Sequence, residues 1–495
     1  MSKSYTPKIV DLEIYNSLNE ENKKHIMKAE KGNENSLVYI SSSFIIGKNG
    51  FPQSKGIGIE YLKYGTQRND LKAIKQYGTY LLLGEIIPKD EVKGVSLLNE
   101  VASIQKDSQQ KLELAEILLS HQSFDINSKA NSEVNYTLAK QILKEASDLG
   151  NVKAMVRYGD ICTKHKSNQY GEIKPDFKEA FKYFKMSSQK GDPEGMFHYA
   201  TFLENGYAQN IINCKEAAKL YKKSYEKGDL NGCALYGYTL IDKKFGCELN
   251  EIEGVRLIKY SCDCNCPIGI NSYGYLVGVG LAGVDEDDEK AVKYYKKAAQ
   301  LGNPGAIANL AIKYKFGDCL PKNIDLALKY MKLAIEEGSP RSALNYALTI
   351  SDTDYVSRVD REKSTEYFKL AIEMGSRAAI SDYCWFIYND KNNLKDNASE
   401  LRKYLALGYK LKDIDTMRLQ GALYLDGGVV YDRNQDHGVQ IWKECVELGS
   451  VEADQSLADL YQKGSVDIKA DQSEAQKYKN IASSNNAKSK CCLLI

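Results

Sequence analysis

An excess of charge of either sign is missing from this chain: its 495 residues carry 67 basic and 66 acidic side chains, a formal net charge of +1. Nothing in that balance draws in a polyanion, so nucleic acid is not expected as the main partner. Long apolar runs are absent too. The longest weakly polar stretch, Ser272 to Val284, is thirteen residues interrupted by glycines and is too short to span a bilayer. The opening segment, Met1 to Leu12, lacks the charged and then apolar order of a secretory signal, and Ser2 stands where myristoylation needs glycine. Export and N-terminal lipidation are therefore not expected. Histidine is scarce: His25, His121, His165, His198 and His437 are scattered, with no H-E-x-x-H pair to hold zinc. The twelve cysteines fall mostly within helical patterns and do not form the framework of a small secreted domain, which points to reduced thiols in a cytoplasmic compartment.

What the chain has in abundance is self-similarity. Aligning the residues that end alternate helical patterns gives Gly32, Asn69, Lys106, Gly150, Gly191, Gly228, Asn265, Gly302, Gly338, Gly375, Lys412 and Gly449, most of them 37 residues apart, with steps of 44 and 41 on either side of Gly150. Glycine and asparagine tolerate the left-handed turn that closes a helix, and lysine favours its negative end. Nine residues after every such stop stands a small side chain (Ser41, Gly78, Ala115, Gly159, Ala200, Gly237, Gly274, Ala311, Ala347, Cys384, Gly421, Ala458), usually preceded by a tyrosine or leucine. Small beside large on one face lets two helices approach closely while the large side chain fills the adjoining groove. Gly237 and Gly274 are expected at such crossings.

Fifteen residues before most stops, an asparagine or aspartate (Asn135, Asp176, Asn213, Asn250, Asp287, Asn323, Asp360, Asn397, Asn434, Asp471) offers an oxygen to the free amides of a first turn. Each unit thus reads as helix A, a loop often opened by glycine, and helix B. The spacing predicts an all-α, right-handed superhelical solenoid of about twelve helix-turn-helix repeats over residues 32–486, with a capping segment at 1–31 and a tail at 487–495. The segment DDEKAVKYYKKAAQLG from Asp287 to Gly302, followed by NPGAIANLAIKYKFG to Gly317, resembles a Sel-1-like repeat, a relative of the tetratricopeptide repeat with a longer period. That resemblance implies an adaptor that binds other proteins.

Motifs of catalytic appearance fit the repeat better than they fit chemistry. Gly278 to Gly283 spells G-x-G-x-x-G, but it follows a helix A where a dinucleotide site needs a strand. Ser187 to Lys190 and Ser103 to Lys106 spell S-x-x-K at helix ends, with no accompanying K-T-G. Cys262, Cys264 and Cys266 are close in sequence yet lack C-x-x-C spacing, and the acidic run Asp285 to Glu289 sits where a helix start favours negative charge. No enzyme activity, metal, cofactor or small-molecule substrate is expected.

The chain closes on Cys491-Cys492-Leu493-Leu494-Ile495, and Cys492 with the residues after it matches the C-a-a-X prenylation signal. The expected function is a non-catalytic scaffold, tethered at the cytosolic face of a membrane by a prenyl group on Cys492, with Cys491 assisting, and recruiting or activating a partner there. The alternative is a soluble cytosolic adaptor without a lipid. Protein partners are expected in a concave groove lined by the A helices, at positions six, ten and thirteen after each stop if tetratricopeptide geometry carries over. These positions include Tyr238, Asn271, Tyr275, Lys315, Trp385 and Arg418. Trp442, by contrast, is expected to pack against a neighbouring helix.

Overall fold

A computed structural model describes residues 7–104, 107–120, 135–168, 171–209, 212–354 and 360–493, with side chains described for most of them. Among the described residues there are twenty-six α-helices, which make up most of the structure. They alternate as A and B along the repeat, and the left-handed turn expected at each stop is present. Backbone φ is +81° at Gly302 and +89° at Gly228, and it is positive even at the non-glycine stops Asn69, Asn265 and Lys412. Lys106 lies outside the described residues. At the starts of the B helices, Asp176, Asn213, Asn250, Asp287 and Asn323 each accept a hydrogen bond from the amide three residues on.

Asn397 departs from this pattern. It lies within the helix Leu394–Lys410, whose start at Asn393 has no side-chain cap. The preceding turns, Asp390 to Asn393, already direct the chain into a helix, so Asn397 is a first-turn residue and not the boundary. A second departure lies in the 41-residue step before Gly191, where Lys166–Asn168 and Gly171–Ile173 pair as a two-stranded sheet in an otherwise helical chain. The four residues beyond the usual period are taken up by this hairpin. A third is the C-terminal helix, which runs Gln472–Leu493, so residues 487–493 are helical where a tail outside the helices was expected.

Two compact units divide the chain. Of the described residues, the first holds those up to Tyr158 together with Asn168 and Gly171, and the second holds Gly159–Ser167 and those from Glu172 onward. In the first, Ile26, Leu37, Ile40, Phe44 and Tyr61 form a buried cluster. The buried Glu30 anchors the N-terminal segment by accepting from the amides of Lys8 (2.9 Å) and Ile9 (3.2 Å) and from the Tyr61 hydroxyl (3.1 Å).

In the second unit the repeats stack through crossings that need glycine. A Cβ on Gly237 would lie 2.7 Å from the Gly254 carbonyl oxygen, and one on Gly274 would lie 2.9 Å from the Tyr294 Cβ. Burying these contacts across each A–B pair supplies the apolar core that no pair has alone. The stack also returns on itself. The buried Glu337 carboxylate receives the ammonium groups of Lys164 (2.9 Å) and Lys166, and the His165 amide donates to the Glu336 carbonyl at 3.1 Å. Lys164 and Glu337 are 173 residues apart. Gly338, just beyond, approaches so closely that a Cβ there would stand 2.7 Å from the Thr163 carbonyl oxygen.

Candidate partner-binding cavity

Because four successive A helices lie between the two halves of this clasp, their inward faces meet across a shared space. The result is a cavity of about 680 Å³ within the second unit, lined from the helices Phe177–Gln189, Pro193–Asn205, Leu230–Thr239, Pro267–Val279, Pro304–Phe316 and Pro340–Ile350. Thr163, Lys164, Glu337 and Gly338 of the clasp line it as well.

Aromatic rings make up much of the wall. Phe184, Phe197 and Phe202 are buried, His198 stacks on Phe184 with centroids 4.5 Å apart, and Tyr238 meets Tyr275 edge-on at 6.4 Å. Polar groups are set among them in bonded pairs. Glu204 accepts from the Tyr221 hydroxyl at 2.8 Å and from the Lys244 ammonium at 3.0 Å, and Lys244 also lies 5.5 Å above the Tyr238 ring. Burial lowers the Lys244 pKa, but Glu204 outweighs it and the net shift is upward. Burial pushes the Tyr238 hydroxyl up to about 12, with Lys244 opposing. At Glu337 burial works to raise the carboxyl, and the two clasp lysines overcome it, so the group sits below its ordinary range.

Of the six residues expected in a groove, Tyr238, Asn271 and Tyr275 line this cavity together. Lys315, Trp385 and Arg418 do not. Lys315 places its ammonium 5.3 Å from the Phe316 ring, Trp385 is 41% exposed beside Tyr388, and Arg418 pairs with Asp415 at 3.1 Å. Trp442 is half-buried, packed on the Leu425, Val439 and Leu457 cluster, and donates its indole N–H to the Arg418 carbonyl at 3.0 Å.

The wall also holds residues that the offsets of six, ten and thirteen leave out: His198, Leu235, Ser272 and Asn309 at seven, and Ile268, Gly305 and Arg341 at three. A face running through three, seven and ten is a single stripe of an α-helix. Varied chemistry at position seven, beside the near-constant positions eight and nine, is the signal that would have marked it.

Of the other candidate motifs, Ser103 to Lys106 ends outside the described residues, and the rest have a local structural account. Gly280 closes a helix A in the left-handed region, φ +66°, within the G-x-G-x-x-G stretch. Ser187 donates to Asp192 at 3.2 Å. Among the described residues one trio, Asp288, Asp318 and Cys319, brings three potential ligand atoms together, and the Lys313 ammonium already lies 2.6 and 2.5 Å from its two carboxylates. Cys262 and Cys266 are buried while Cys264 is exposed, and the Cys266 thiol is engaged with Asn231, so the three do not converge. The side chains of Cys491 and Cys492 lie outside the described residues. Among the described residues no helix is long and apolar enough to cross a membrane.

Comparison with known proteins agrees with this repeat architecture. The family model for the Sel1 repeat matches residues 71–102, 152–192, 193–229, 267–303, 304–339, 343–376 and 451–486, just over half of the chain. The chain belongs to the Sel1 repeat family. Among solved structures it is similar to c5321, a protective antigen of uropathogenic Escherichia coli strains displaying an SLR fold, with 15% identity over 95% of this chain and 91% of that one at a TM-score of 0.42. A Sel1 repeat protein from Oxalobacter formigenes matches at 22% identity over 50% of this chain and 96% of that one, TM-score 0.42. Yeast Tom70 matches at 14% identity over 92% and 96%, TM-score 0.35. No curated protein sequence matches the chain.

Proposed function

We propose that this Sel1 repeat protein is a non-catalytic scaffold that holds a segment of a partner protein against the inner faces of its A helices, with Tyr238, Asn271 and Tyr275 among the contacts. The family and the repeat fold support a protein-interaction scaffold. The observation that carries the more specific reading is the cavity itself, where side chains from successive repeats combine rigid aromatic rings with amides and long charged groups. Aromatic and arginine side chains are enriched among the residues that carry most of the binding energy at interfaces. Lys315, farther along a helix that lines the cavity, and Trp385 and Arg418, on later repeats, extend the same docking beyond it.

The test is a photo-crosslinking residue placed at Tyr275 and, as a control, at the exposed helix B position Lys219. Protein adducts from Tyr275 and none from Lys219 are expected. Equal labelling from both positions, or none from Tyr275, would remove the reading. On the C-a-a-X residues alone we also propose a prenyl group on Cys492 that brings the scaffold to a membrane surface. One lipid chain binds only reversibly, so Cys491 or the nearby lysines would have to reinforce it. Cys492→Ser should move the protein from the membrane pellet to the supernatant, and an unchanged distribution would remove this proposal.

A further inference from the structure

We infer that the cavity of the second unit takes an extended peptide carrying one acidic side chain beside an apolar one, with the carboxylate held by Arg341 and a backbone amide held by Asn271 and Asn309. The inference rests on the scaffold reading and specifies the chemistry of what it holds.

Arg341 supplies the charge argument. Its guanidinium is exposed on the cavity wall, and among the described residues no hydrogen bond or ion pair engages it. Every other ionic group on the wall is compensated: Lys164 by Glu337 and Asp160, and Lys244 by Glu204. The helices Pro304–Phe316 and Pro340–Ile350 both begin at the cavity, and their positive ends add to the field around Arg341. One anionic group is therefore favoured. A second negative charge would find no free cation on the wall, since Lys164 and Lys244 are already paired with carboxylates. Single-stranded nucleic acid, with a charge on every phosphate, is disfavoured for that reason.

Amide geometry points to a peptide. The Asn309 side-chain N–H donates to the Asn271 side-chain carbonyl at 3.1 Å. This leaves the Asn271 Nδ2 as a donor and the Asn309 Oδ1 as an acceptor side by side on the wall, which matches the N–H and C=O of an extended backbone. Gly305 keeps the approach open, since a Cβ there would stand 3.3 Å from the Asn271 Nδ2. On the same wall, the rings of Tyr238 and Tyr275 offer a surface for an apolar side chain.

The experiment selects peptides from a displayed library of random twelve-residue sequences on the full chain, then measures labelled synthetic peptides by fluorescence anisotropy. Each acidic peptide is paired with a twin in which Asp or Glu is replaced by Asn or Gln. The acidic twin should bind about tenfold tighter or better, as a charge-assisted contact requires. In Arg341→Gln that gap should close with the amide twin's affinity and the melting temperature unchanged, whereas Asn309→Ala should weaken both twins. Equal binding of the twins by the native chain, or a gap that persists in Arg341→Gln, overturns the inference while leaving the scaffold reading in place. Failure to enrich any peptide, or tighter binding of a ten-residue oligouridylate than of any peptide, overturns both.

Discussion

Replacing Glu337 with glutamine tests whether the clasp is electrostatic. The carboxylate is almost fully buried, with 2% side-chain exposure, and so is Lys166 at 4%, while Lys164 is 11% exposed. Glutamine keeps the shape and removes the charge, so two ammonium groups would face each other without their shared partner. Removing one member of a buried ion pair costs about 3–5 kcal/mol, most of it the penalty of the charge left behind. Repeat arrays do not unfold in one step, so a global melting curve blurs such a loss. Hydrogen exchange at the His165 amide, which bridges the clasp to the Glu336 carbonyl, reads it locally. Protection there should fall by roughly a hundredfold to several thousandfold, since about 1.4 kcal/mol is a factor of ten. A variant with Glu337→Leu, Lys164→Met and Lys166→Met should recover most of the protection, because apolar groups of similar volume replace a buried ion cluster at little cost. Acid should act through the same carboxylate. The folded-state value of Glu337 is depressed below 4.5, so its stabilisation is complete above that pH and is lost only as the pH falls further through the folded value. If His165 protection changes less than about threefold in Glu337→Gln, the charge pairing does not hold the clasp and packing around Gly338 must.

Three more predictions follow from packing and caps. Gly274→Leu forces a side chain into the Tyr294 contact and should cost about 1–3 kcal/mol in urea denaturation; an unchanged midpoint would mean that the crossing can widen freely. Trp385→Ala should alter stability by less than about 0.5 kcal/mol, while Trp442→Ala should cost roughly 3 kcal/mol because it removes packing and an indole hydrogen bond; the reverse order would misplace both rings. Asp287→Ala removes the bond to the Lys290 amide and should cost about 1 kcal/mol, with Asp287→Asn restoring most of it.

The repeat was readable because its physical requirements are local. A left-handed stop at Gly302 and a cap at Asp287 recur at fixed spacing, and small residues such as Gly274 recur wherever two helices cross. Tyr238 and Tyr275 were found for the same reason, as position ten faces the cavity in successive copies, with Thr201 before them. Arg341 was missed because offset three was left out of the expected face, and Lys164 and Glu337 because their pairing joins distant repeats and owes nothing to the period. The clasp depends on how far each repeat rotates on the last, and no single repeat records that rotation. The hairpin at Lys166–Asn168 and Gly171–Ile173 was hidden behind a lengthened step that gave its size but not its form.

The clasp also imposes an order in time. Contacts between neighbouring repeats can form as soon as each helix pair leaves the ribosome, whereas Lys164 must wait for Glu337, 173 residues later. At about 5–20 residues per second, that wait lasts roughly 9–35 s. During it the inner wall is already being laid down helix by helix while its two ends are still unjoined. Lys164 and Lys166 spend the interval without the Glu337 carboxylate, and the ion cluster closes in a single late step when Glu337 arrives.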